Sequence, residues 1–175
     1  MEEINQNSQT SLDFNSEKFE PKDEVEIQQI IKYCFKKNLP IEIVGNKTKV
    51  DIGKKLQCAK TLDMSKFSGI IDYKPEELYI TVKAGTPMSI VREKLKKNKQ
   101  HLAFEPVNFS KIFKKNSNDG TVGGILSCNF SGSRRFKVGS ARDHILGFKG
   151  FNGKGEKIKS GGTVVKNVTG YDLSK

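Results

Sequence analysis

Apolar residues return along this chain at two different periods, and the switches between them mark its elements. Ile27, Ile30, Ile31 and Cys34 recur at the spacing of one helix face, which predicts a helix from about Asp23 to Asn38. Asp23 suits its N-cap, Glu24 and Glu26 its positive end, and Lys36 and Lys37 its negative end. Leu39 to Val44 then alternates with β-branched residues, the pattern of a strand, and runs directly into the polar loop Gly45-Asn-Lys-Thr-Lys49. Short strands are expected at Thr61 to Met64, Gly69 to Tyr73 and Leu78 to Ala84, the last two joined by a turn at Lys74-Pro-Glu-Glu77. Thr86 as N-cap and Pro87 as first helical residue predict a second helix with Met88, Val91 and Leu95 as its stripe. His101 to Phe104 reads as a strand, and Lys111 to Asp119 as an exposed basic loop. Gly120 to Gly124 opens a small-residue helix that runs to Asn129 and ends at Ser131 to Arg135. A hairpin is expected to pair Asp143–Phe151 with Lys157–Ser160 across Asn152-Gly153, and a further helix to start at Tyr171-Asp172. This order is an α+β pattern rather than a regular βαβ alternation.

The ends of the chain differ from its middle. Residues 1–17 are polar, acidic and aperiodic, and are expected to form a disordered lead-in before a single domain spanning 18–175. The net charge is +11, yet residues 1–26 hold eight acids and two lysines, so the net positive charge arises beyond them. Only Arg92, Arg134, Arg135 and Arg142 are arginine, and the other positive charges are lysine. Phosphate and base recognition leans on arginine's planar fork, so scattered lysine reads as a solvated surface and no nucleic-acid partner is expected. Cys34, Cys58 and Cys128 form no CxxC pair, which excludes a disulfide scaffold and fits a reduced, cytoplasmic setting; all are expected to be small core residues. No run approaches the roughly 18 apolar residues of a membrane span, and the N-terminus has no secretory h-region.

Several chemistries are missing. There is no GxxxxGK[ST] phosphate loop, no GxGxxG after a strand, no HExxH, and His101 and His144 are isolated, so no metal set is expected. Two anion-friendly backbone segments remain. In Gly45-Asn-Lys-Thr-Lys49, residues tolerant of left-handed dihedrals could turn successive N–H groups inward, with Thr48 and the Lys47 or Lys49 ammonium as further donors. In Gly120-Thr-Val-Gly-Gly124, unpaired N–H groups at a helix start favour negative charge, and missing side chains leave room for a flat ligand. Either segment also reads as plain architecture, a strand-to-loop turn or a tightly packed glycine helix.

Read together, the motifs point further. Gly120-Thr-Val-Gly-Gly124, Ser131-Gly-Ser-Arg-Arg135, Arg142-Asp-His-Ile-Leu-Gly147, Asn152-Gly-Lys-Gly155 and Gly161-Gly-Thr-Val-Val-Lys-Asn-Val-Thr-Gly-Tyr-Asp172 follow one another. In that order they resemble the FAD-binding domain of FAD-linked oxidases, the vanillyl-alcohol-oxidase or PCMH type, from about Pro21 onward. Within the family the combination is most similar to the FAD-binding subunit of glycolate oxidases. The resemblance implies an α+β PCMH-type fold, two α+β subdomains with FAD between them. It implies that Gly45, Asn46, Lys47, Thr48 and Lys49 hold the FAD pyrophosphate, although Asn46 and Lys47 stand where many members have glycine. Pro106 matches a proline near the flavin, and Gly120, Thr121, Gly123 and Gly124 match the second loop, closed by Ser131 and Gly132. Asp143 to Leu146 matches a strand beside the adenine half. No histidine stands in or near the first loop, so the FAD is expected to be non-covalent.

The same resemblance implies a flavin-dependent oxidoreductase acting on a 2-hydroxy acid such as glycolate. Its expected partners are a sister flavoprotein subunit and an iron–sulfur subunit, which would place it peripherally at the inner face of the membrane. The chain is expected to stop partway through the FAD domain, with the substrate-covering domain absent and the catalytic base unassigned. The alternatives are another FAD-linked oxidase, such as a D-lactate dehydrogenase, and a non-catalytic flavin-holding assembly module.

Overall fold

The computed structural model describes residues 12–54, 56–112 and 119–162. Its first layer is a parallel sheet of β1 (Lys18–Phe19), β2 (Ile41–Val44) and β3 (Lys60–Asp63), in the order β1-β3-β2. Leu62 sits opposite both Phe19 and Ile43 in this register and is 1% exposed. Helix α1 (Glu24–Lys36) connects β1 to β2, begun by the Asp23 carboxylate, which accepts the Glu26 N–H at 2.9 Å. Its apolar stripe meets the sheet, so that Ile30 and Cys34 pack with Phe19 and Leu62. Each such fully buried aliphatic side chain stabilises the fold by roughly 1.5–3 kcal/mol.

A second core gathers around α2 (Met88–Lys96). Met88, Val91 and Leu95 pack with Phe104, with Ile125 of a short helix and with Ala141. The antiparallel hairpin of β3's successors, β4 (Ile70–Lys74) and β5 (Tyr79–Val82), closes it through Tyr73, Ile80 and Val82. Three short helices follow, α3 (Phe109–Ile112), α4 (Val122–Cys128) and α5 (Arg135–Val138), and then a 3-10 turn at Ala141–His144. The last described elements are β6 (Gly147–Phe151) and β7 (Lys157–Gly161), an antiparallel hairpin. Its turn docks on α1, where Gln28 Nε2 donates to the Gly155 carbonyl at 2.7 Å. Gly155 is at φ +77 and a Cβ there would lie 2.7 Å from Lys32 Cγ, so this contact requires glycine.

The structure corrects several sequence expectations. Part of the lead-in is ordered: Leu12 and Phe14 pack on the first core, and Lys60 Nζ donates to the carbonyls of Phe14, Asn15 and Ser16. Thr86 is not the cap of α2. It is fully buried, where its hydroxyl donates to the Lys83 carbonyl at 2.6 Å and accepts the Gly69 N–H, and Pro87 occupies the N-cap position. His101 to Phe104 is a turn rather than a strand, closed by a bond from the Glu105 N–H to the Leu102 carbonyl, with Phe104 in the core. Asp143 and His144 belong to the 3-10 turn, so the hairpin begins only at Gly147. Cys58 and Cys128 are exposed, and only Cys34 is a core residue. Of the expected basic loop, residues 113–118 lie outside the described residues; Asp119 at its end is buried. The expected helix at Tyr171-Asp172 and the Lys166 to Asp172 motif also lie outside them.

Candidate functional site

The first glycine loop leaves the C-terminal end of β2, where the ladder to β3 stops at Val44 and Asp63. Beyond that point the backbone N–H groups of Asn46, Lys47, Thr48 and Lys49 have no acceptor among the described residues. Lys47 is at φ +52, a left-handed residue that breaks the alternation of N–H directions and lets neighbouring donors converge. Thr48 is buried at 7% exposure and Lys47 is exposed, so the loop has one side against the protein and one toward solvent. The local requirement was legible in the residue types; which donors stay free was not.

The second loop behaves differently from its sequence reading. Most of its donors are used by the protein, the Thr121 N–H alone having no acceptor among the described residues. The Val122 N–H goes to the Thr86 carbonyl, the Gly123 N–H to the Ala84 carbonyl at 2.8 Å, and the Gly124 N–H to Thr121 Oγ1 at 3.3 Å. Nor is Gly123 open to a ligand, since a Cβ there would lie 3.0 Å from both the Cβ and the carbonyl oxygen of Ala84. Its glycine serves the close approach of α4 to the end of β5. The expectation of unpaired N–H groups at this helix start therefore fails for Gly120, Val122, Gly123 and Gly124, and α4 instead acts as the wall against which the first loop is built.

That construction is tight. A Cβ on Gly45 would lie 2.5 Å from Thr121 Oγ1, and one on Gly120 would lie 3.5 Å from Thr48 Oγ1. Asn46 Nδ2 donates to the Asp119 carbonyl at 2.7 Å, so the side chain that replaces glycine at this position ties one loop to the other. Lys49 Nζ is 3.4 Å from Thr48 Oγ1 and 5.9 Å from the Phe109 ring centre, and a Cβ on Gly124 would lie 3.4 Å from it. Burial among these groups pushes the Lys49 ammonium below its ordinary value, although Cys128 and the negative charge of Asp119 oppose the shift. A half-desolvated ammonium beside unsatisfied N–H groups is a site that gains by receiving an anion. Asp119, 8% exposed on its side chain, forms an ion pair with Arg92 of α2 and accepts the Gly120 N–H at 3.1 Å. Sequence reading missed both residues, because the pair joins positions 27 apart on elements whose packing no local pattern announces.

The remaining expected residues form a separate joint. Ser131 Oγ accepts the Ala141 N–H at 2.9 Å, and the Gly132 N–H donates to the Phe104 carbonyl. A Cβ on Gly132 would lie 2.8 Å from Glu105 Cβ, next to Pro106, which is half-buried. The Asp143 carboxylate accepts both the N–H and the hydroxyl of Ser140, which holds it below the usual carboxylate range. Asp143 thus caps the 3-10 turn and does not lie in a strand. No hydrogen bond or ion pair among the described residues connects this joint to Gly45–Lys49.

Among the described residues no helix is long and apolar enough to cross a membrane, and no three His, Cys, Asp or Glu side chains gather as a metal set. Comparison with known proteins adds what geometry alone leaves open. The chain is 37% identical to glycolate oxidase subunit GlcE of Escherichia coli over 136 residues, covering 78% of this chain and 37% of that protein. It is 27% identical to glycolate oxidase subunit GlcD of Bacillus subtilis, covering 89% of this chain and 32% of that one. The chain thus spans about a third of the length of these relatives. A solved alkyldihydroxyacetonephosphate synthase superposes with a TM-score of 0.65 at 17% identity, over 90% of this chain and 29% of that one, which establishes likeness of fold. The PCMH-type α+β fold expected from the motifs is borne out. The family model described as an FAD binding domain matches residues 18–161, nearly the whole described region and both glycine loops. On that match, and on the likeness to glycolate oxidase subunit GlcE, the chain belongs to the FAD-binding domain family of FAD-linked oxidoreductases.

Proposed function

We propose that this chain holds FAD non-covalently through its diphosphate, as the flavin-binding portion of an oxidoreductase that acts on a 2-hydroxy acid such as glycolate. The observation that carries the reading is the set of Asn46, Lys47, Thr48 and Lys49 N–H groups, without acceptors among the described residues, beside a half-buried Lys49 ammonium. These residues fit a diphosphate: the N–H groups give directional bonds, and Lys49 gives charge that burial has left under-solvated. Asn46 and Thr121 hold the two loops at a fixed separation, so the donors are in place before the ligand arrives. FAD, when bound, supplies the two-electron chemistry. Pro106 and the Ser131–Gly132 joint stand as flavin-side residues by family resemblance, with the substrate base outside the residues assigned.

The likeness to two glycolate oxidase subunits supports a place in a complex with a sister flavoprotein and an iron–sulfur subunit, peripheral at the inner face of the membrane. The test begins with the purified protein. A yellow chromophore that is released by acid and identified as FAD is the expected result. A colourless protein that also fails to take up added FAD would refute the reading. Co-expression with a sister flavoprotein and an iron–sulfur subunit, followed by glycolate-dependent dye reduction, tests the substrate and the partners. The chain alone is expected to show no such turnover.

A further inference from the structure

We propose that Arg92 controls the strength of FAD binding without touching the cofactor, by neutralising the buried Asp119 carboxylate behind the diphosphate loop. This inference rests on the flavin reading above. Asp119 is the junction of three elements. Its carbonyl receives Asn46 Nδ2 from the first loop, its Oδ1 receives the N–H of Gly120 in the second, and its Oδ2 pairs with Arg92 Nη2 from α2. The residue therefore ties the loops together, its carbonyl holding the first and its carboxylate the second. It also places a negative charge, 8% exposed, close enough to Lys49 to act on that ammonium. A fixed anion beside a site for a second anion is unfavourable unless it is compensated, and in a half-buried setting the repulsion reaches well beyond contact distance.

Arg92 is the compensating group. It lies on α2, the helix whose first N–H, that of Met88, donates to the Gly120 carbonyl at 2.9 Å and whose Pro87 bridges to Thr121. Its guanidinium is therefore held by the same element that holds the second loop. Its side chain remains about half exposed, at 47%, so solvent offsets its own desolvation while the charge it covers stays buried. Arginine at this position acts as a positioning residue for charge rather than as a ligand.

The experiment is a charge cycle read by FAD titration of the purified protein, with thermal unfolding of each variant recorded without flavin. Arg92→Gln is expected to weaken FAD binding by about tenfold or more, the effect of one uncompensated charge on a diphosphate at this depth. Arg92→Lys, which keeps the charge, should lose far less. Asp119→Asn, which still accepts the Gly120 N–H, should bind more tightly than wild type because Arg92 then acts unopposed. The double variant Arg92→Gln/Asp119→Asn should recover to within a few-fold of wild type. A purely structural role predicts no such recovery. If Arg92→Gln binds as wild type does, or if the double variant is no better than Arg92→Gln, the inference fails while the flavin reading stands. If wild type takes up no FAD at all, the flavin reading fails and this inference with it.

Discussion

Gly45→Ala tests whether the two loops form one rigid site. The substitution adds a single methyl to a residue outside the left-handed region, so its backbone can accept alanine. Its cost is steric. The new Cβ would lie 2.5 Å from Thr121 Oγ1, 2.8 Å from Thr121 Cγ2 and 3.2 Å from Thr121 Cβ, where carbon contacts settle near 3.5–4.0 Å. Relief requires the loops to part by about 1 Å, or Thr121 to rotate and abandon the Gly124 N–H that it caps. Overpacking of this kind costs about 1–3 kcal/mol, and loss of an N-cap bond about 1 kcal/mol. Where this strain must be worked off on binding, each 1.4 kcal/mol weakens the FAD dissociation constant about tenfold. Two assays separate the parts: thermal unfolding without flavin reads the strain, and titration by flavin fluorescence reads the affinity. Thr121→Ala removes the atoms that clash, so the double variant should lose less than the sum of the single losses. A Gly45→Ala protein with wild-type melting and wild-type FAD affinity would falsify the account of the loops as one packed unit.

Other consequences are open to direct measurement. Because the Lys49 ammonium sits below its ordinary value and a bound diphosphate would raise it, FAD affinity should be full at neutral pH and fall as pH rises through the folded value of Lys49; titrations from pH 7 to 10 should show the fall in wild type and a weaker, flatter profile in Lys49→Met. Gly123→Ala should lower the melting temperature by the equivalent of about 1–3 kcal/mol, because its Cβ meets the backbone of Ala84, and equal stability of the variant would contradict that packing. Burial alone would raise Asp63, but bonds from Lys18 and the Ser65 N–H bring it below its ordinary 3.8, so its contribution is complete above that value and is lost as pH falls through the folded value. Asp63→Asn should therefore flatten part of the acid unfolding profile, and an unchanged profile would contradict the assignment. Lys60→Met removes the donor shared by the Phe14, Asn15 and Ser16 carbonyls and should speed proteolytic cleavage near Phe14; an unchanged cleavage rate would show that Leu12 and Phe14 anchor the segment alone.

Much of the architecture is local and so was readable from residue order. The stripe of Ile27, Ile30, Ile31 and Cys34 specifies α1 because three-to-four-residue spacing places all of them on one face, and Asp23 caps it through a bond three residues long. The alternation before Gly45 specifies β2, and Asn152-Gly153 specifies the final reversal. The order of the glycine motifs likewise sufficed for the family. What failed locally failed where a distant group competed: Thr86 has the chemistry of a cap, but Gly69, 17 residues away, takes its hydroxyl into the core. Only tertiary structure decided which glycine segment keeps its donors. Both look equally receptive in sequence, yet Thr86, Ala84 and Thr121 take the N–H groups of Val122, Gly123 and Gly124, while those of Asn46 to Lys49 have no acceptor among the described residues. The same holds for Arg92 and Asp119, since a hydrogen bond or charge pair between distant segments depends on how helices pack, which no periodicity encodes.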